Sequence, residues 1–315
     1  MKQGFSSTII LCILLLAITS PSCSQASKKI NADDTVVFAA TTPSNDAVKN
    51  LFRIPPDFKT DMFRWNLTLD QNTKASSNSF DLLCTYGAGK QGTRGFTDGA
   101  KTIELKGKYS IDKANKETIY NLVDDNKGIS LSFLAPDKNL LHLLNNDKQM
   151  MVGTGAWSFT LNRVSPSSSE NKFSLKPVSK MYVASDSASF GVFLGRLPCD
   201  DALRELHEIS SQGCDIVKVK LTLYLDSKTH EPTTFLLNTI YVGNGDDNIH
   251  KTTGKWKLLQ DTNYDPTALF FQLEPDSSKN TFTLWKADNN NLFFLDKNNN
   301  FLVGSEYTSY TLSRH

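Results

Sequence analysis

Asp137–Arg163 reads DKNLLHLLNNDKQMMVGTGAWSFTLNR, and Asp288–Arg314 reads DNNNLFFLDKNNNFLVGSEYTSYTLSR. The two stretches align without a gap at an offset of 151 residues. They share Asp137/Asp288, Asn139/Asn290, two leucines, the Val-Gly pair, and the closing Ser, Thr, Leu and Arg. A self-match of this length is the signature of a duplicated unit, and it sets the architecture before any single residue is interpreted.

The match continues upstream in the same order. Tyr120-Asn121-Leu122 answers to Phe271-Gln272-Leu273, and Gly107-Lys108-Tyr109 to Gly254-Lys255-Trp256. Phe80–Tyr86 answers to Phe235–Tyr241, Leu67-Thr68-Leu69 to Leu221-Thr222-Leu223, and Arg53–Pro56 to Arg196–Cys199. These matches predict two homologous domains, 46–165 and 186–315, joined by a linker over 166–185 that the polar run Ser165–Asn171 marks. Each is long enough to bury a core of its own.

Within each unit the hydrophobic period is two. Phe63, Trp65, Leu67 and Leu69 alternate with Arg64, Asn66 and Thr68; Val217, Val219, Leu221 and Leu223 alternate with Lys218, Lys220 and Thr222. Trp157, Phe159 and Leu161 alternate with Ser158, Thr160 and Asn162. Such alternation predicts strands with one face buried and one wet. Turns rich in Asn, Asp, Gly and Lys separate about eight short strands per copy. A meander of this kind closes into a barrel and so removes its edges. The expected class is all-β: two tandem small antiparallel barrels. Leu203 and Leu206 within Asp201–Ser211 fall at helical spacing, which predicts a short helix inserted in the second copy alone.

The first 22 residues carry Lys2, an apolar run over Ile9–Ile18 and then small residues, the pattern of a secretory signal. The run is too short to span a bilayer. Ser20 and Ser22 precede Cys23 as in a bacterial lipoprotein signal, so Cys23 is the expected lipidated residue. Residues 23–45 are expected to be a flexible tether. Ser24 after Cys23, with no Asp in that place, favours the outer membrane and its periplasmic face. The net charge is +1 and no basic block is present, which argues against nucleic acid as a partner.

Gly195-Arg-Leu-Pro-Cys199, the strand Val217–Asp226, the strand ending Tyr241-Val-Gly243, Gly254-Lys-Trp256 and the closing Leu292-x-x-Leu295-Asp296 resemble the N-terminal domain of the NlpE copper-homeostasis and adhesion-sensing lipoproteins. The resemblance implies a lipocalin-like barrel on an outer-membrane lipoprotein, with copper as the metal to look for. Two departures stand out: the barrel is duplicated, and the family's C-x-x-C after Leu-Pro is absent.

Cys199 and Cys214 are the cysteines particular to the second copy. An exported protein meets oxidising conditions, where two such cysteines pair. The alternative is a soft-metal pair, with His207 as a third ligand and Asp200, Asp201 and Asp215 nearby. The two readings exclude each other. Cys84 shares a strand face with Phe80, Leu82 and Tyr86 and reads as a buried small hydrophobe. Met150 and Met151 point to opposite faces of one strand, and His142 stands alone. Arg163 and Arg314 close the two copies and are placed to stack on aromatic rings.

No nucleophile elbow, phosphate loop or paired-carboxylate motif appears, so no catalysis is expected. The function that follows is a membrane-anchored envelope lipoprotein that binds or senses. The alternatives are a carrier of a small apolar ligand and a structural module that binds envelope proteins.

Overall fold

The computed structural model describes Met1 and residues 35–71, 78–114, 116–168, 172–178, 189–199, 214–243 and 249–315. The first copy comprises β1 (Thr35–Pro43), β2 (Met62–Asp70), β3 (Ser79–Gly87), β4 (Lys101–Ala114), β5 (Glu117–Asp124), β6 (Ile129–Leu134), β7 (Leu140–Leu144) and β8 (Thr160–Arg163). Each strand pairs antiparallel with the next, and β8 returns to β1 through Phe38↔Arg163 to close the barrel. After β9 (Leu175–Pro177) the second copy runs β10 (Ser189–Pro198), β11 (Ile216–Leu225), β12 (Pro232–Val242), β13 (His250–Asp261), β14 (Leu269–Pro275), β15 (Phe282–Lys286), β16 (Asn291–Leu295) and β17 (Thr311–Arg314). It closes in the same way through Phe193↔Arg314. Two closed eight-stranded barrels in tandem are thus what the duplicated sequence builds.

Strand register confirms most of the internal alignment. Leu67 lies opposite Phe38 and Leu82, and Leu221 lies opposite Phe193 and Leu237. Gly107 faces Phe80 and Gly254 faces Phe235. A Cβ on Gly107 would sit 1.9 Å from the Val123 carbonyl oxygen, and one on Gly254 2.1 Å from that of Glu274. The aromatic ring of the neighbouring strand lies over each glycine instead, at 3.1 Å and 2.8 Å from the same point.

Several sequence expectations need correction. The first barrel begins at Thr35, so the stretch expected to be tether up to residue 45 contains β1, whose residues from Val36 to Pro43 are mostly buried. The counterpart of Pro198 is Pro43 at the end of β1, because Phe38 and Phe193 occupy the same barrel position; Arg53–Pro56 lies elsewhere. A helix is not peculiar to the second copy: α1 (Asp46–Leu51) follows β1, with the Asn45 side chain accepting from the Val48 N–H at 2.9 Å. Val48, Leu51, Phe52 and Ile54 plug the first barrel, and Phe52 lies 5.2 Å from Trp65. The segment 201–211, expected to be helical, lies outside the described residues. Finally, the linker over 166–185 contributes β9, which adds to β13 of the second barrel.

Both interiors are filled by rings. Phe63, Trp65, Phe133 and Phe159 fill the first, and Phe193, Phe235, Phe271 and Phe282 the second, each 0–1% exposed. The indole N–H of Trp65 donates to Thr42 Oγ1 at 2.8 Å and that of Trp256 to the Tyr224 carbonyl at 2.7 Å, so neither is an orphaned polar group.

The polar face of β8 was expected to be wet, and it is buried. Thr160, Asn162, Thr311 and Ser313 are each 2% exposed, because β8 and β17 face each other across the seam between the barrels. Ser158 Oγ meets Ser309 Oγ at 2.6 Å, and Thr160 Oγ1 meets Thr311 Oγ1 at 2.9 Å. Both pairs join residues 151 apart, which are equivalent positions of the two copies. Off this line the contacts are reciprocal: Gly153 N–H donates to Ser313 Oγ at 3.0 Å, and Gly304 N–H to Asn162 Oδ1 at 2.8 Å. Self-contact on an axis and exchange around it define an isologous, two-fold interface, here within one chain.

His142 is buried on this axis, its ring 5.7 Å from that of its counterpart Phe293. Nε2 lies 2.8 Å from the Met151 carbonyl oxygen and Nδ1 2.9 Å from Thr160 Oγ1. A carbonyl only accepts, so Nε2 carries the proton, Nδ1 accepts from Thr160, and Thr160 accepts from Thr311. Burial holds the imidazole down to a pKa of about 4 against an ordinary 6.5. The neutral ring is the folded form, so its stability contribution is complete above pH 6.5. It falls away as the pH drops from 6.5 through 4, by about 3 kcal/mol in all. His142→Phe, which copies the other barrel, is expected to remove this component. Denaturant midpoints between pH 7 and pH 4 should fall less steeply in the variant, and equal slopes would refute the assignment.

Candidate functional site: the disulfide corner between the barrels

The second copy departs most from the first where β10 ends and β11 begins. Cys199 and Cys214 are joined there in a disulfide with a Cα–Cα distance of 5.7 Å. They close the connection that in the first barrel carries α1. Both are buried, and both pack on the second barrel's core. With the sulfurs bonded to each other, neither is a thiolate, and the soft-metal reading of this pair fails in the folded oxidised chain. His207, Asp200 and Asp201 lie outside the described residues, as does Cys23. Cys84 is free and buried on the inner face of β3, where burial pushes its thiol pKa well up.

Beside the disulfide lies an open cleft of about 350 Å³, lined by Arg94, Cys199, Cys214, Asp215, Ser305 and Tyr307 among others. Two barrels contribute to it. From the first, the β3–β4 loop brings Arg94 to within 3.6 Å of Asp215. From the second, the β16–β17 loop presents Tyr307, with the Arg94 guanidinium 4.6 Å and the Arg64 guanidinium 5.3 Å from its ring. Arg64 also lies 5.3 Å from Phe96 and donates to the Arg94 carbonyl. The Arg94–Asp215 pair is exposed and contributes little to stability. The stacked cations and ring are the more specific feature. A hydrogen bond to Glu306 and then burial raise the phenol pKa of Tyr307, against the pull of the two arginines.

The two-fold relation repeats this arrangement in altered form. Arg196 on β10 stacks on Trp157 of the first barrel's closing loop at 5.8 Å, while the Glu306 carbonyl accepts from Thr41 at 2.9 Å. Each barrel's last loop therefore grips the first strand of the other. Of the closing arginines, Arg314 stacks on Phe190 and Phe193, both at 5.1 Å, as the sequence suggested. Arg163 instead donates to Ser167 Oγ at 3.1 Å. Met151 enters the first core, and Met150 packs outside it against the inter-barrel cluster. The arginine–tyrosine cluster was missed in the sequence because Arg64, Arg94 and Tyr307 are far apart in the chain and carry no motif.

A fifteen-residue separation makes the disulfide worth roughly 3 kcal/mol on the loop-entropy account. Replacing both Cys199 and Cys214 by Ser should lower the unfolding free energy by about that amount in chemical denaturation. An unchanged midpoint would mean that packing alone holds this corner. Compared with known proteins, the chain matches no family model, no curated protein and no solved structure.

Proposed function

We propose that this chain is an envelope lipoprotein of the NlpE-like class, anchored through Cys23 to the outer membrane on its periplasmic side, with a non-catalytic binding or sensing role. The observation that carries the binding part is the position of free space. Rings occupy the barrel interiors, while the disulfide cleft and a groove of about 940 Å³ bordered by Leu175, Lys257, Leu259 and Gln272 open on the outside. This supports recognition through outer surfaces and speaks against the alternative of a carrier that encloses an apolar ligand. The duplicated barrel and the signal ending at Cys23 support the class.

Copper, which the resemblance implies, finds no ligand set among the described residues. No three His, Cys, Asp or Glu side chains converge there. Cys199 and Cys214 are bonded to each other, and both ring nitrogens of His142 are engaged.

The anchor is tested by Cys23→Ala in the full-length precursor. Wild-type protein should enter the detergent phase on Triton X-114 partitioning, and the variant should move to the aqueous phase. A variant that stays in the detergent phase would overturn the anchor.

A further inference from the structure

A two-fold arrangement of barrels makes every outer site twice, but the chain has a single linker to fill them. On the second barrel that linker occupies a well-defined place. β12 pairs with β13 only as far as Lys255, and β9 adds to the edge left free beyond it, with Asp261↔Leu175 and Leu259↔Pro177. The Val178 N–H donates to the Leu258 carbonyl at 3.1 Å. Two residues before β9, the Phe173 ring packs 4.9 Å from Phe270 and 6.0 Å from Phe301. Asp261 fixes the approach, accepting from the Ser174 N–H at 2.7 Å and from the N–H groups of Asn263, Tyr264 and Asp265 in a lengthened β13–β14 turn.

The first barrel holds the matching place without an occupant among the described residues. β3 pairs with β4 only as far as Lys108, and Ser110, Ile111, Asp112 and Lys113 beyond it are exposed, with Ile111 at 38%. Asp112↔Ile119 corresponds to Leu259↔Phe270, so Ile119 stands where Phe270 does. By the 151-residue offset Met150 stands where Phe301 does, and Leu144 where Leu295 does. These side chains line a groove of about 370 Å³ with Leu134, Trp285 and Ala287 and with the polar Glu117, Lys148 and Asp288, between residues of both barrels. Tyr109 N–H points toward β3, where it donates to the Asn78 carbonyl at 3.2 Å. Strand alternation therefore turns the Ile111 N–H and C=O to the same free side, as Leu258 turns its carbonyl to β9.

We propose that the free edge of β4 and this groove dock an extended segment of a partner polypeptide, in which an aromatic residue is followed two positions later by an aliphatic one. The segment adds as a strand to β4 and seats its aromatic ring between Ile119 and Met150, as Phe173-Ser174-Leu175 does on the other barrel. This rests on the binding reading above and gives that reading a site, independently of the anchor at Cys23.

The chain's own linker supplies the probe. A labelled peptide of residues 172–178 (Lys-Phe-Ser-Leu-Lys-Pro-Val) is titrated with the full chain by fluorescence anisotropy, with amide hydrogen exchange read in parallel. The expected result is saturable binding that slows exchange at 110–113. It should weaken about tenfold or more with Met150→Glu, with a Phe→Ala peptide, and with Ile111→Pro, which deletes the outward N–H while sparing the β4–β5 ladder. Absence of saturable binding, indifference to all three changes, or protection at 258–261 in place of 110–113 would overturn the proposal. So would a chain that sediments as a dimer and becomes monomeric with Met150→Glu, since the occupant would then be a second copy. Failure here leaves the result of the Cys23→Ala partition untouched, so the two claims fall separately.

Discussion

The seam between β8 and β17 is the constraint on which the rest of the molecule depends. On a two-fold axis a residue meets its own counterpart, so both copies must carry a side chain that suits itself. Serine and threonine hydroxyls meet this demand because each donates and accepts. Ser158 with Ser309 and Thr160 with Thr311 satisfy each other in this way. The glycines of the shared Val-Gly pair donate across the seam to Ser313 and Asn162, and each is also closely approached by its own closing loop. A Cβ on Gly153 would lie 2.5 Å from the Trp157 carbonyl oxygen, and one on Gly304 2.2 Å from that of Thr308. The best-matched stretch of the chain is therefore the stretch that makes the interface.

Away from the axis the copies are free to diverge, and they do so at the ends of the barrels. A helix plugs the first between β1 and β2, and a disulfide clips the second between β10 and β11. A longer β13–β14 turn around Asp261 captures the linker on the second barrel, with no counterpart among the described residues of the first. His142 against Phe293 is an unequal pair on the axis, and it converts a symmetric contact into a pH-dependent one. The proposed binding role falls on outer surfaces, where the copies differ, because rings fill both barrel interiors.

The sequence made the barrels legible because alternation and self-similarity report the same pleated surface. Leu67 and Leu221, or Gly107 and Gly254, could be equated before their partners were known. Other features were hidden for physical reasons. Thr35–Pro43 is rich in Thr and Ala, so its burial depends on neighbours that alternation does not reveal. The hydroxyls of β8 read as solvated because a self-complementary polar face looks like an ordinary wet one. Phe173 sits in a stretch of linker composition, and its role follows from where Phe270 and Phe301 lie. The arginine–tyrosine corner at Arg64, Arg94 and Tyr307 needs the two barrels to be docked before it exists. The cysteine pair was visible, and the choice between disulfide and metal was settled by geometry.

The most direct test of the account is a double-mutant cycle across the axis, with Thr160→Val, Thr311→Val and the double variant measured by equilibrium denaturation of the full chain. Thr160→Val leaves the Thr311 hydroxyl without its acceptor and His142 Nδ1 without its donor, Thr311→Val removes the donor to Thr160, and each should cost about 1–3 kcal/mol. The double change removes both partners and should cost less than the sum, with a coupling of about 0.5–3 kcal/mol. Additivity within about 0.5 kcal/mol would mean that these two residues do not meet, and would contradict the two-fold seam.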